Sequence, residues 1–172
     1  VDEPQHLADA VASMNLRHAV ITVVNRDDLE DSAADHYKQC LAAVAERCPG
    51  VSLELLCSDL AGDLNDLAHL LDGSPLLVFA HNVECVPRLD SIVRDPRASF
   101  EQSISILREA KRLRPDMLTK SSLMVGVGET DEEIVEAMQL LRDAGVDLLT
   151  IGQYLAPSKN HLAIDRFPEP EL

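Results

Sequence analysis

The sequence is poor in basic residues and contains no long hydrophobic run. Its 15 lysines and arginines stand against 30 aspartates and glutamates, which gives a formal net charge of −15 at pH 7. This charge repels nucleic-acid phosphates and anionic lipid surfaces. No apolar stretch approaches the ~20 residues that a membrane span requires, and no export signal opens the chain. We therefore expect no nucleic-acid partner, no membrane partner, and a cytoplasmic location in a bacterium or an organellar matrix in a eukaryote.

Several common catalytic and metal-binding patterns are also missing. The chain has no G-x-S-x-G segment, no Walker phosphate loop and no H-E-x-x-H helix. Its cysteines, at positions 40, 48, 57 and 85, fit neither a zinc knuckle nor a C-x-x-C redox pair. The histidines show no mutual ligand spacing, so we expect no metal site. We interpret the cysteines mainly as buried thiols in a reducing compartment.

Helical and strand-like patterns alternate along the chain, which is long and apolar enough to bury one core. Its 172 residues are 46% hydrophobic, and a single domain over 1–172 is the default. Helical patterns cover 3–14, 33–47, 64–71, 99–113 and 130–144, and each precedes an apolar strand pattern, at 18–24, 51–57, 76–80, 118–127 and 147–154. Continuous apolar strands joined by helices predict an α/β fold with a parallel sheet.

The pattern leaves open how the sheet is wound. A partial TIM-type barrel and an open doubly wound sheet share the same β/α repeat. A barrel does not close on five such strands alone, and the chain opens directly on a helix. We therefore expect a missing first strand upstream and regard the domain as incomplete at both ends.

Polar residues follow several predicted strands, at the edge where functional residues of parallel sheets lie. The segment 25–28 is either a helix-entry loop with a local ion pair or part of a site. In the segment 81–84, Asn82 and Glu84 project to the same side of an extended backbone. This pair could hold a ribose diol, or the segment is a solvated turn.

Two further features have both a structural and a functional interpretation. The glycines of the segment 126–129 either let backbone approach a ligand or form a tight turn into the capping box at Thr130. Lys120 lies inside an apolar strand pattern. Its side chain either reaches out to solvent along the strand or faces a polar interior where anions bind.

Four ordered segments, three of them at these strand ends, resemble lipoyl synthase, a radical S-adenosylmethionine (SAM) enzyme. They are VNRDDL at 24–29, HNVECVPRL at 81–89, TKSSLMVGVGET at 119–130, and IGQYLAPS at 151–158 with His161-Leu162 after it. The opening Asp2-Glu3-Pro4 also resembles the segment that follows the cluster-binding loop of this family. Four ordered matches across the chain are far more specific than any one of them.

The resemblance implies a radical SAM partial barrel of six β/α units. One 4Fe–4S cluster would cleave SAM to a 5′-deoxyadenosyl radical, which abstracts hydrogens from carbons 6 and 8 of a protein-bound octanoyl chain. A second, auxiliary 4Fe–4S cluster would supply the sulfur. The implied partners are an octanoylated lipoyl carrier, such as the H protein or the acyltransferase subunit of a 2-oxo acid dehydrogenase, and an electron donor such as ferredoxin or flavodoxin.

The resemblance also implies roles for individual residues. Asn82 and Glu84 would contact the ribose and amino-acid part of SAM, and Arg94 its carboxylate. The mouth towards substrate would carry Asn25, Arg26 and Asp27, together with Thr22, which counts as a cofactor residue. The remaining cofactor residues implied are Lys120, Ser122, Gly126, Gly128 and Glu129 along the cleft, and Gln153, Tyr154 and Leu155 near the adenine.

The departures from the family pattern concern the clusters. The Cys-x-x-x-Cys-x-x-Cys loop would lie just before Val1, and neither the auxiliary-cluster cysteines nor the terminal Arg-Ser-Ser-Tyr segment is present. We therefore expect this chain to hold no cluster and to contain no catalytic residue of its own. Cys85 replaces the usual Thr, and Ser122 the usual Gly.

Two alternatives remain open at this point. One is a radical SAM sulfur-inserting enzyme of the biotin synthase type, against which the Arg26-Asp27-Asp28 and Gly152-Gln153-Tyr154-Leu155 segments argue. The other is a degenerate, cluster-free β/α domain that binds a small molecule or a carrier protein.

Overall fold

A computed structural model describes residues 2–169, in which five strands form one parallel sheet. The strands are β1 (His18–Thr22), β2 (Ser52–Leu56), β3 (Leu76–Ala80), β4 (Leu118–Val125) and β5 (Leu148–Gln153). The helices are α1 (Glu3–Met14), α2 (Ala34–Arg47), α3 (Leu64–Leu71), the short α4 (Asp90–Val93), α5 (Phe100–Leu113) and α6 (Asp131–Asp143).

The strand order decides between the two windings that the sequence left open. Each strand pairs in parallel with the next one along the chain, in the order β1-β2-β3-β4-β5. A doubly wound sheet has a point at which this order reverses, whereas a barrel does not. The α/β fold and the partial barrel are therefore confirmed.

Side-chain chemistry at the helix ends explains where the helices begin. Thr130 and Glu133 form the expected capping box of α6, since each side chain bonds to the backbone N–H of the other. Asp63 caps α3 and Ser99 caps α5 in the same way, through an oxygen that accepts from the first turn. The caps at Asp63 and Thr130 end the segments that follow β2 and β4, and the cap at Ser99 ends the loop after α4.

Two strands end two residues before the carboxyl ends that the patterns predicted, and β2 and β5 each end one residue before theirs. The pattern 118–127 ends as a strand at Val125, because Gly126 takes a φ of +94° that leaves the extended region. The pattern 18–24 ends at Thr22, and the side chain of Val24 is largely exposed. Residues 23–24 and 126–127 therefore lie outside the sheet, at the edge where the strands end, which we call the rim.

The core lies between the sheet and the helices on one face. One cluster joins α1, α2 and α3 to the first three strands, around Leu41, Leu67 and Phe79. A second joins α5 and α6 to β4, around Leu107, Leu123 and Ile134. The opposite, concave face carries the alternate side chains of the strands.

Candidate functional site

A cavity of about 280 Å³, lined by several polar and charged residues, opens at the carboxyl ends of β1, β2 and β3. Thr22 and Asn25 line it from the end of β1, and Asn82 and Glu84 line it from the segment after β3. Arg94, which follows α4, closes another side. The fold thus brings together five residues that were predicted as cofactor or substrate residues, because parallel strands end at one edge of the sheet.

Glu84 has a strained backbone that places its side chain in this cavity. Its φ is +66°, in the left-handed region that non-glycine residues rarely adopt. The Glu84 N–H donates to the Ser122 carbonyl at 3.1 Å, and the Met124 N–H donates to the Glu84 carbonyl at 2.7 Å. These two bonds to β4 hold the unfavourable conformation, and such strain is concentrated at functional sites.

Arg94 is held by a chain of buried polar groups. Its side chain is 7% exposed, and its Nη1 donates to Ser103 Oγ at 3.1 Å and lies 3.8 Å from Asp90 Oδ1. Ser103 Oγ also lies 2.8 Å from His81 Nε2, and His81 Nδ1 lies 3.0 Å from the Cys57 carbonyl oxygen. Burial lowers the pKa of His81 below its ordinary value.

Lys120 and Ser122 lie on the concave face, below the cavity. Lys120 Nζ donates to Glu54 Oε1 at 2.7 Å, and Glu54 Oε2 lies 3.3 Å from His18 Nε2. The Glu54 side chain is only 7% exposed, so Lys120 supplies the charge that its burial requires. The polar interior considered for Lys120 is therefore what the structure shows.

The turn 126–129 is bonded to itself. Glu129 is buried, and its carboxylate accepts from the Gly126 N–H at 2.7 Å and from the Val127 N–H at 3.0 Å. The Gly128 carbonyl accepts from Arg88 at 2.8 Å. The tight-turn interpretation of this segment is correct, and Glu129 is the residue that stabilises the turn.

The segment after β5 covers this turn and involves two of the predicted adenine residues. Gln153 Nε2 donates to the carbonyls of Tyr154 and Arg166, at 3.0 and 3.2 Å. Tyr154 Oη donates to the Leu162 carbonyl at 3.0 Å, whereas Leu155 is 66% exposed. These residues lie at the rim beside β5, opposite the ends of β1 to β3, and do not line the 280 Å³ cavity.

The loop after β1 is bound by ion pairs at the mouth. Arg26 donates through Nε and Nη2 to both carboxylate oxygens of Asp28, each at 2.7 Å, so the local ion pair of the first alternative is present. Arg97 Nη1 donates to Asp27 at 2.8 Å and Nε to Asp95 at 2.8 Å. Arg97 thus joins the loop after β1 to the loop after α4, and its guanidinium lowers the pKa of Asp95 to about 2.

Arg26 also borders a larger cavity, of about 500 Å³, between β1 and α2. Its walls are mostly apolar, with Ile21, Leu55 and Tyr37 among them. Of the predicted residues, only Thr22 and Arg26 line it, so it is not the cavity around which the predicted set gathers.

Three residues of the site were missed at the sequence level. Ser103 had a detectable signal, since it interrupts the otherwise apolar buried face of α5 between Phe100 and Ile104. Glu54 likewise interrupts an apolar strand pattern, as Lys120 does. Asp90 gave no such signal, because an acidic residue at the start of a short helix is unremarkable in sequence.

A profile of one enzyme superfamily matches most of this chain. The profile is described as "Radical SAM superfamily", and it matches residues 1–152. This chain belongs to the radical SAM superfamily. The matched residues contain all of the strands except the last residue of β5, and they contain Asn82, Glu84 and Arg94.

Among curated radical SAM relatives, the chain is similar to lipoyl synthases, as the four segments predicted. It is 51% identical to "Lipoyl synthase" of Thermus thermophilus over 170 residues, which are 99% of this chain and 52% of that protein. It is 53% identical to "Lipoyl synthase" of Halorhodospira halophila over 169 residues, 98% of this chain and 50% of that protein. The chain thus spans about half the length of the curated relatives it matches.

A solved structure agrees with the partial barrel. The crystal structure of methylornithine synthase superposes with a TM-score of 0.73 at 14% sequence identity. The superposition covers 99% of this chain and 48% of that one. At this identity the likeness concerns the fold alone.

The residues described here fit SAM but not an iron–sulfur cluster. The cavity offers a guanidinium for a carboxylate, and an amide and a carboxylate for a diol. Clusters require cysteine thiolates, but burial raises the pKa values of Cys57 and Cys85 to about 12. Within 2–169, no three His, Cys, Asp or Glu side chains are placed to share a metal ion.

In the described part of the chain, no helix combines the length and the apolar character needed to cross a membrane.

Proposed function

We propose that this chain is the SAM-binding β/α core of a lipoyl synthase, an enzyme that inserts sulfur at carbons 6 and 8 of a protein-bound octanoyl group. The observation that carries the proposal is the identity of about half of all positions with lipoyl synthases over nearly the whole chain. The relatives' name favours the lipoyl over the biotin synthase type. The cavity at the strand ends adds a chemically suitable site.

The residues of the cavity suggest how SAM is bound. Arg94 provides donors for the carboxylate of SAM in a largely buried position, where a charge-assisted bond is stronger than in water. Asn82 and Glu84 offer an amide and a carboxylate for the ribose hydroxyls. Within residues 2–169 neither side chain has a hydrogen-bond partner, so both are available to a ligand.

Other residues would orient and enclose the ligand. Lys120 and Ser122 form the concave floor, and Thr22 lies between that floor and the mouth. The turn 126–129 and residues 153–155 form the opposite rim, towards the adenine. Leu56 and Val23 supply apolar surface at the cavity, and apolar surface excludes water from a reactive site. Asn25, Arg26 and Asp27 face the substrate side.

The parent enzyme would hold two 4Fe–4S clusters on residues other than those described. When bound, SAM and these clusters would supply the hydrogen-abstracting radical and the inserted sulfur. The substrate would be an octanoylated lipoyl carrier, and a ferredoxin or flavodoxin would donate electrons. A cytoplasmic or organellar-matrix location is consistent with these partners.

The test separates SAM binding from carrier binding in the complete, cluster-loaded enzyme that contains this segment. Calorimetry would measure the affinities for SAM and for an octanoylated carrier. Asn82→Ala should weaken SAM binding by at least about fivefold and leave carrier affinity unchanged. Arg26→Ala, at the mouth, should weaken carrier binding and leave SAM affinity unchanged. Asn65→Ala, on the exposed surface of α3, is the matched control.

Two results would contradict the proposal. One is an equal loss of SAM and carrier affinity in Asn82→Ala. The other is an enzyme that binds SAM normally but forms no lipoyl group on any octanoylated carrier, as judged by mass spectrometry of the carrier.

A further inference from the structure

The hydrogen bonds that link Cys57, His81, Ser103 and Arg94 each have a defined donor and acceptor. The Cys57 carbonyl can only accept, so His81 Nδ1, 3.0 Å away, must carry a proton. Arg94 can only donate, so the 3.1 Å bond makes Ser103 Oγ its acceptor. The hydroxyl proton of Ser103 then points to His81 Nε2 at 2.8 Å, which accepts when the ring is neutral.

The surroundings of His81 favour this neutral tautomer. The ring is buried between β2 and α5, and burial lowers its pKa. The groups that face it are the Cys57 carbonyl and Asp59 from the segment after β2, Ser103 from α5, and the guanidinium of Arg94. A second proton on the ring would lie near the Arg94 charge and would remove the acceptor for the Ser103 hydroxyl.

These hydrogen bonds also fix the orientation of the Arg94 side chain. Arginine has a long, flexible side chain, and ordering it on a ligand costs conformational entropy. Ser103 constrains one Nη donor, and the nearby Asp90 carboxylate is itself held by the Phe100 N–H at 2.6 Å. A guanidinium held in this way loses less freedom when a carboxylate binds, because it is already oriented.

We propose that His81 and Ser103 are positioning residues that hold the Arg94 guanidinium in the orientation that receives the carboxylate of the bound ligand. The inference rests on the proposed function for the identity of that ligand, SAM. His81 borders the cavity, but both of its ring nitrogens are already bonded to Cys57 and Ser103. Both act through Arg94.

The first test examines the hydrogen-bond chain without any ligand. Long-range ¹⁵N–¹H spectra of the histidine rings in the 172-residue chain should show His81 as the neutral Nδ1–H tautomer. Ser103→Ala should shift its Nε2 resonance, because the hydroxyl donor is lost, while Ser74→Ala should not. Ser74 is a matched control, since it is also buried but its Oγ has no partner in the described chain. An Nε2–H tautomer or a doubly protonated ring at pH 7 would overturn the proposal.

The second test uses a ligand pair that differs in the carboxylate. In the complete, cluster-loaded enzyme, affinities would be measured for SAM and for 5′-methylthioadenosine, which keeps the adenosine but has no amino-acid part. Ser103→Ala and His81→Leu should each weaken SAM binding by about fivefold and leave the affinity for methylthioadenosine unchanged. His81→Gln retains a donor and an acceptor and should recover most of the SAM affinity.

The variants distinguish the positioning role of His81 and Ser103 from the contact between Arg94 and SAM. Arg94→Ala should weaken SAM binding by more than about tenfold, again without effect on methylthioadenosine. If Arg94→Ala shows this selectivity but Ser103→Ala and His81→Leu do not, the positioning role is refuted while the proposed function stands. If Arg94→Ala itself shows no selectivity, the assigned SAM contact fails, and the ring spectra still decide the hydrogen-bond chain. Equal losses for both ligands in Ser103→Ala would indicate a structural role only.

Discussion

Lys120 and Glu54 form an ion pair of 2.7 Å across the concave face, although β3 lies between their strands. Glu54 is almost fully buried, whereas about a third of the Lys120 side chain is exposed. Each interrupts an apolar strand, and the pairing explains why both are tolerated. A buried charge without a partner is costly, and a paired one is much less so.

Replacing one partner of this pair should cost more than replacing both. Lys120→Met leaves the Glu54 carboxylate buried beside His18, and we expect a loss of about 2 kcal/mol in the free energy of unfolding. The double variant Lys120→Met/Glu54→Leu should recover at least half of that loss. Urea denaturation checks this, and a double variant that is less stable than Lys120→Met would contradict the interpretation.

Gly126→Ala should disturb the turn more than Gly128→Ala. Both glycines have positive φ values, +94° and +111°, but a Cβ on Gly126 would collide with Gln153 and come within 2.5 Å of the Arg166 carbonyl. A Cβ on Gly128 meets nothing within 4 Å. We expect a difference of about 2 kcal/mol between the two variants, from unfolding curves.

The same pair of variants tests the covering segment after β5. Limited proteolysis should cleave residues 155–169 faster in Gly126→Ala than in Gly128→Ala, because the collision displaces that segment. Equal cleavage rates would show that the segment does not depend on close approach at Gly126.

His81 should make the protein less stable on the acid side of neutrality. Burial holds its pKa in the folded state below the ordinary value of about 6.5, so the unfolded chain binds a proton first as the pH falls. The stability is complete above about pH 6.5 and is lost as the pH falls from there towards the folded-state pKa.

The measurement is the free energy of unfolding between pH 7.5 and pH 5 for the wild type and His81→Gln. The wild-type curve should fall more steeply than that of His81→Gln, because only the wild type must keep a neutral ring buried. Parallel curves for the wild type and His81→Gln would exclude a buried neutral His81.

The cysteines should react at very different rates. Cys48 is partly exposed, whereas Cys40, Cys57 and Cys85 are buried. Burial raises the pKa values of Cys57 and Cys85 to about 12, which leaves almost no thiolate at pH 8. A thiol reagent such as DTNB should therefore label one cysteine quickly and the other three only in denaturant. Cys48→Ser should abolish the fast phase, and a fast phase that persists in this variant would contradict the burial pattern.

Much of the fold could be predicted from local patterns. The helices α1 and α3 have the predicted ends, and β3 matches its pattern residue for residue, because Gly, Pro and capping residues mark these boundaries in the sequence. Strand ends were predicted less well. Val23, Val24 and Val127 continue an apolar pattern, but backbone conformation and loss of pairing remove them from the sheet.

The candidate site could be predicted only in part. Asn82 and Glu84 were recognisable because two polar side chains at spacing two follow an apolar strand, and Arg94 was identified through the family resemblance. The partners of Arg94 and Lys120 were not predicted. Ser103 lies nine positions from Arg94 and Glu54 lies 66 positions from Lys120.

The sequence by itself determined the alternation of helices and strands, the parallel sheet, and the edge at which polar side chains gather, because these depend on local periodicity and on the short connections between elements. The tertiary structure decided the winding of the sheet, the ion pair between Lys120 and Glu54, and the hydrogen bonds that link Cys57 to Arg94 through His81 and Ser103. These depend on which strands become neighbours and which side chains face one another across them, and long-range packing sets both.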